Sequence, residues 1–209
     1  MHLPSNVPQF DSVPLVAFDY LEPIFVLPTP RRLRSWDKVL EVTRRFDHYE
    51  WITHVVRRPA GCESFVTDLA RSFLLSFESA LQMLKEEVFG AQFEKWMLTQ
   101  PANDLTTRGL RTLRHLEAHI RPGVLTQNHQ GGHSRFAGAE GGTTIGWRWA
   151  PINVKEFHQL RRPLISVEEL PIFNALIECD LVASLMRAGI IKLIVLFEAA
   201  DATFVSPST

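Results

Sequence analysis

The residues best suited to chemistry lie close together in one stretch, Thr107 to Ile120, which reads TRGLRTLRHLEAHI. At 100° per residue a helix here puts Leu105, Gly109, Leu113, Leu116 and Ile120 on one side. Arg108, Arg111, Arg114, His115 and His119 fall on the other. Guanidinium groups carry a fixed charge and present forked donors that match phosphate geometry. An imidazole, with an ordinary pKa near ~6.5, accepts or donates a proton close to neutral pH. Arginines and histidines on one helix face therefore suit general acid–base work on a phosphate ester, with the arginines binding or stabilising the anion.

The element carrying this face is expected to start at a cap, Asn103 or Asp104, and to stop at Pro122-Gly123. Its apolar side must bury against neighbours. The strongest of these is expected over residues 62–89, where Phe65, Leu69, Phe73, Phe77, Ala80 or Leu81, Leu84 and Val88 recur at spacings of three and four before Gly90. The spacing also predicts a helix from 33 to 57, capped by Ser35, with Trp36, Val39, Leu40, Phe46 and Tyr49 inward. A strand over the β-branched Ile52 to Val56 is an alternative for its end. A short amphipathic segment carries Phe93, Trp96, Met97 and Leu98 and stops at Pro101. Short connections between helices favour antiparallel neighbours in a bundle.

Residues 123–155 break this pattern. Six glycines, Gly131, Gly132, Gly138, Gly141, Gly142 and Gly146, fall among polar residues, and Thr143 to Val154 alternates apolar and polar. A glycine-rich loop leading into a small β-hairpin, with Gly141-Gly142 at its turn, is expected. Beyond a short helix over 156–162, Ser166 caps the run Val167 to Ala200. Leu170, Phe173, Ile177, Leu181 and Leu185 mark its buried side, and Gly189 is a candidate break. Ile190 to Phe197 is apolar on almost all sides, as in a central helix or a dimer interface. Residues 1–32 hold Pro4, Pro8, Pro14, Pro23, Pro28 and Pro30 among large apolar side chains, which predicts an extended arm packed on the domain or on a partner subunit. The expected architecture is mainly α: a four- or five-helix bundle over 33–204 with a loop-hairpin insertion and a proline-rich N-terminal arm.

Composition narrows the function. The chain has 209 residues, 45% hydrophobic and 22% charged, with a formal net charge of −1, so contact with nucleic acid must come from a local patch. Cys62 and Cys179 are too few for a disulfide framework and have no metal-ligand spacing. With no basic segment leading an apolar run and no stretch of ~18 apolar residues, neither signal peptide nor membrane span is expected. A cytoplasmic protein is expected. No Gly-Lys-Ser/Thr follows the glycines, which excludes a P-loop, and no nucleophile elbow is present.

Arg114-His115-x₃-His119, late in a bundle helix, resembles the motif of the HEPN superfamily, an all-α group that includes many metal-independent RNases of toxin and defence systems. The resemblance covers about residues 62–121. It implies that Arg114 and His119 are the catalytic pair, that His115 takes the variable polar position, and that two protomers join their motifs across a dimer cleft on RNA, without a cofactor. Arg108, Arg111 and His115 are the expected substrate-binding residues. Arg114 and His119 lie about 140° apart on an ideal helix, so long side chains or a partner's contribution must close the pair.

Two other readings use the same residues. His115 and His119, at i and i+4, have the spacing of two zinc ligands, with His48, His54, His129 or His133 as a third, as in DinB-like four-helix bundles. Residue 116 is Leu, so the glutamate of HExxH is missing. Alternatively the bundle is a non-catalytic interaction or regulatory protein, whose basic face is solvated and locally ion-paired. Trp147 and Trp149 flank Arg148 and suit hairpin packing or, with the arginines, base stacking.

Overall fold

The computed structural model describes residues 25, 27–28, 31–50, 52, 63–120, 125–128, 146–179 and 182–204. The described chain is mainly helical, in agreement with the expected bundle. Four long helices make its body: α1 (Trp36–Glu50), α2 (Glu63–Leu84), α4 (Leu105–His119) and α7 (Val182–Phe204). The first packs on α2 and α7, and α4 packs on the same two, closing a ring. Short α3 (Phe93–Met97) follows α2, and α5 (Val154–Gln159) and α6 (Leu170–Cys179) precede α7. The buried apolar side chains of these elements form one cluster, centred on Phe46, Phe73, Phe77, Leu110, Phe173 and Phe197.

The long helices follow their apolar spacing. In α2 the buried positions include Leu69, Phe73, Phe77, Leu81 and Leu84. After Leu84 the backbone loosens into a π turn, Lys85–Phe89, and Gly90 takes φ 51°, a left-handed conformation that glycine adopts without steric cost. In α1 Val42, not Leu40, completes the inner stripe. The chain entering α1 is tied down by two distant carboxylates. Glu87 accepts from the Arg34 and Ser35 N–H groups, each at 2.8 Å, and Asp201 accepts from Leu33 N–H at 3.2 Å and Trp36 Nε1 at 2.8 Å. Ser35 thus supplies a backbone donor to Glu87 rather than the expected side-chain cap. Of the large apolar side chains of the N-terminal arm, Phe25 and Leu27 are described. Both pack against the core, Phe25 with its ring edge-on to Phe46 at 5.6 Å.

One expectation about the last helices needs correction. Gly189 does not divide them. Instead Gly189 lies inside α7 where a Cβ would come within 2.3 Å of the Leu110 side chain, so it permits close approach of α4. The expected strand after the glycines is β2 (Gly146–Trp149), and it pairs with an earlier strand, β1 (Leu125–Asn128), in antiparallel register Leu125 with Trp149 and Asn128 with Gly146. The expected turn Gly141-Gly142 lies outside the described residues, as do Pro59 to Gly61, Pro122-Gly123 and Val205 onward. The strand hypothesis for Ile52 to Val56 falls there too, apart from Ile52, which is helical. Trp149 is fully buried, and Asn174 of α6 bonds both the N–H and the carbonyl of Ile152 at 3.0 and 2.8 Å, fixing the chain beyond the hairpin to the helical body.

Candidate functional site

The α4 helix begins as the sequence predicts. Asp104 caps it, accepting from Thr106 and Thr107 N–H groups. Three neighbours surround it: α2, α7 and α6. Burial therefore extends beyond the expected apolar stripe. Gly109, Leu113 and Leu116 are buried, but so are Thr107, Leu110, Arg111 and Thr112. Thr107 and Thr112 satisfy their hydroxyls by donating to the Ala102 and Arg108 carbonyls, at 2.6 and 2.8 Å.

This wrapping sorts the five residues of the basic face into different environments. Arg108 forms a two-pronged ion pair with Glu169, at 2.8 and 2.6 Å, and also donates to the Leu164 carbonyl. Glu169 in turn reciprocates with Ser166 in a capping box at the start of α6, each backbone N–H donating to the other's side chain. The Arg108 hydrogen bond, followed by the Ser166 backbone bond, holds the Glu169 carboxyl below its usual range. Arg111 departs most from expectation. Its side chain is 9% exposed, and both Nε and NH2 donate to Glu78 of α2, at 3.0 and 3.2 Å. The helix-wheel assignment of Arg111 to the solvent side fails because α2 covers that side and supplies a carboxylate to meet the charge.

Arg114 differs from both. It makes a single bond, NH1 to Glu117 at 3.3 Å, and its side chain is 23% exposed. The other oxygen of Glu117 accepts from Nε of Arg71 on α2. His115 is half-buried beside this group. Burial pushes its pKa below the usual histidine range; Glu78 opposes this, and Arg111, His119 and Arg114 reinforce it. His119, the last residue of α4, is exposed. Arg114, His115 and His119 thus lie in the C-terminal half of α4 on partly or fully exposed positions, while Arg108 and Arg111 are fastened to neighbouring segments.

Glu117 is the acid that a locally ion-paired basic face implies; Arg71, Glu78 and Glu169 complete the arrangement, and the basic face alone did not reveal them. The signal for two of them is present: Arg71 and Glu78 are seven residues apart on α2, hence on one side, with charges that match Glu117 and Arg111 of an antiparallel neighbour.

Among the described residues no group of three His, Cys, Asp or Glu side chains is placed to hold a metal ion. His48 lies on α1 against the Phe65 ring; His54, His129 and His133 fall outside the described residues. Trp149 is fully buried and Trp147 partly so, packed against the core, which makes the hairpin tryptophans packing groups rather than an open stacking platform. Arg148 donates to the Glu178 carbonyl. No described helix is long and apolar enough to cross a membrane. Comparison with family models, curated proteins and solved structures gave no match to the chain.

Proposed function

We propose that this is a HEPN-like, metal-independent ribonuclease of the cytoplasm, active as a homodimer. The observation that carries this reading is the contrast among the α4 arginines. Arg108 and Arg111 are each closed into a two-pronged carboxylate pair, whereas Arg114 has one long bond and stands at the same helix end as the exposed His119. In the proposed reaction His119 takes the proton of a ribose 2′-OH. The 2′-oxygen bonds to phosphorus, the P–O5′ bond breaks, and the leaving 5′-oxygen is protonated by water. Arg114 meets the charge that builds on the phosphorane oxygens. His115, kept neutral by burial, would donate a hydrogen bond to phosphate. Arg108 and Arg111 would act by holding α4 in place instead of touching substrate.

The test is cleavage of a mixed RNA pool in EDTA by purified wild type, His119→Ala and Arg114→Ala. Cleavage by the wild type and loss in both variants supports the proposal. Wild-type cleavage that EDTA abolishes would instead favour a metal on His115 and His119. Absence of cleavage would favour a second reading, a non-catalytic interaction or regulatory bundle, which has its own observation: Ile191 and Val195 of α7 are 49% and 44% exposed, one helical turn apart.

A further inference from the structure

The three arginines of α4 meet carboxylates in two different ways, and the difference has an identifiable cause. Glu169 and Glu78 each offer both oxygens to one guanidinium. Glu117 instead divides its charge between two helices: Arg71 reaches across from α2 to Oε1, and Arg114 binds Oε2 through NH1 alone. A guanidinium has five N–H donors, so most of the Arg114 fork is not engaged by any described residue.

The charges agree with the geometry. Two guanidinium groups share one carboxylate whose side chain is 9% exposed. The next acid near Arg71, Asp68, is 64% exposed and touches it at 3.5 Å, so water screens most of its effect. Arg111 is already matched by Glu78, with Glu94 at 3.9 Å and 61% exposed. One positive charge is left over at the α2–α4 seam, shared between Arg71 and Arg114, whose side chains are 41% and 23% exposed.

We infer that Arg71 and Glu117 are positioning residues for Arg114: Glu117, balanced by Arg71, anchors one end of the guanidinium and leaves the rest to hold a phosphodiester group of single-stranded RNA. This rests on the ribonuclease reading for the identity of the ligand. Glu117 fixes Arg114 at one nitrogen, and Arg71 takes up part of the carboxylate's charge. Without Arg71, Glu117 pairs with Arg114 alone and neutralises it, and the anion site is lost.

Binding of a labelled 2′-O-methyl oligonucleotide tests this apart from catalysis, because the probe has no nucleophile and cannot be cleaved. Arg71→Ala is expected to weaken binding about tenfold, as loss of a charge-assisted anion contact does. Adding Glu117→Gln should restore most of the affinity, since the amide oxygen still accepts from Arg114 but draws no ion pair. Adding Asp68→Asn to Arg71→Ala changes net charge by the same amount and should restore little. Thermal unfolding verifies that each variant is folded, with Arg71→Gln replacing Arg71→Ala if the latter is not. Unchanged binding in the Arg71 variants, equal rescue by Asp68→Asn, or no binding of the probe by wild type would overturn the inference. Binding with the expected pattern but no cleavage of ordinary RNA would overturn the ribonuclease reading alone.

Discussion

Replacing Arg111 by Met separates a structural role from a substrate-binding one. The Met side chain keeps much of the apolar stem and removes the guanidinium. Two charge-assisted bonds are lost, at 3.0 and 3.2 Å, from a side chain that is 9% exposed. Each such bond contributes ~1.5–3 kcal/mol when its partner is left unsatisfied. Glu78 is 25% exposed, so water recovers part of its solvation, and the cost stays below the ~3–5 kcal/mol of breaking a fully buried pair. The net loss is expected to be about 2 kcal/mol, equivalent to a fall of about 4–8 °C in Tm for a chain of this size. Urea unfolding of wild type, Arg111→Met, Glu78→Gln and the double variant gives the pair's coupling energy, expected at ~1–2 kcal/mol. Affinity for the 2′-O-methyl oligonucleotide should stay within about twofold of wild type in variants that remain folded. A coupling near zero, or a tenfold loss of RNA affinity with unchanged stability, would refute the argument that α2 has taken Arg111 out of the binding face.

Three further perturbations follow from the packing and the charges. Gly109→Ala places a Cβ 2.0 Å from the buried Phe173 ring, and the overpacking, ~1–3 kcal/mol, should outweigh the ~1 kcal/mol gain in helix propensity; a raised urea midpoint would contradict this. Asp47 has a buried Oδ1 without a partner among the described residues, and burial, then the charge of Glu50, raises its pKa from 3.8 to about 6. The folded state therefore holds the extra proton between those values, and stability falls as pH rises through that window. Allowing for screening of a partly exposed group, the fall should be about 1–2 kcal/mol in wild type and absent in Asp47→Asn, read from unfolding free energies at pH 4 and pH 7.5. Asp201→Ala releases the Leu33 N–H and the Trp36 indole N–H together and should cost about 2 kcal/mol; a change under ~0.5 kcal/mol in urea unfolding would show that water replaces the carboxylate at no cost.

Legibility of the fold in the sequence tracked the distance over which the deciding contacts act. Helices set by local spacing were readable: the phenylalanines of α2, the Asp104 cap and the left-handed Gly90 act within a turn or two of their own positions. The β1–β2 pairing was not, because Trp149 finds its partner Leu125 across 23 intervening residues and alternation alone does not say which strand is opposite. At the candidate site, the helical wheel grouped the five basic residues correctly as a sequence pattern but misjudged their accessibility. A wheel divides a helix into two sides, whereas α4 has neighbours on three. Whether a given arginine is solvated then depends on residues such as Glu78 and Glu169, 33 and 61 positions away. Gly189 failed as a helix break for the same reason: its missing side chain serves Leu110 of another helix, not the conformation of its own.

The ties at the start of α1 have a consequence for synthesis. Asp201 binds the Leu33 backbone 168 residues away, and Glu87 binds Arg34 and Ser35 from 53 and 52 residues away. Asp201 and α7, one of the two helices that α1 packs on, are made long after α1, whereas α2 and Glu87 follow it closely. Until then α1 lacks the cover of α7, whose Phe197 ring packs on Trp36, and the closure of so long a loop slows this docking step. The side of α1 that meets α7 thus stays uncovered until α7 has been made, and an apolar surface left open in this way is prone to association in the meantime.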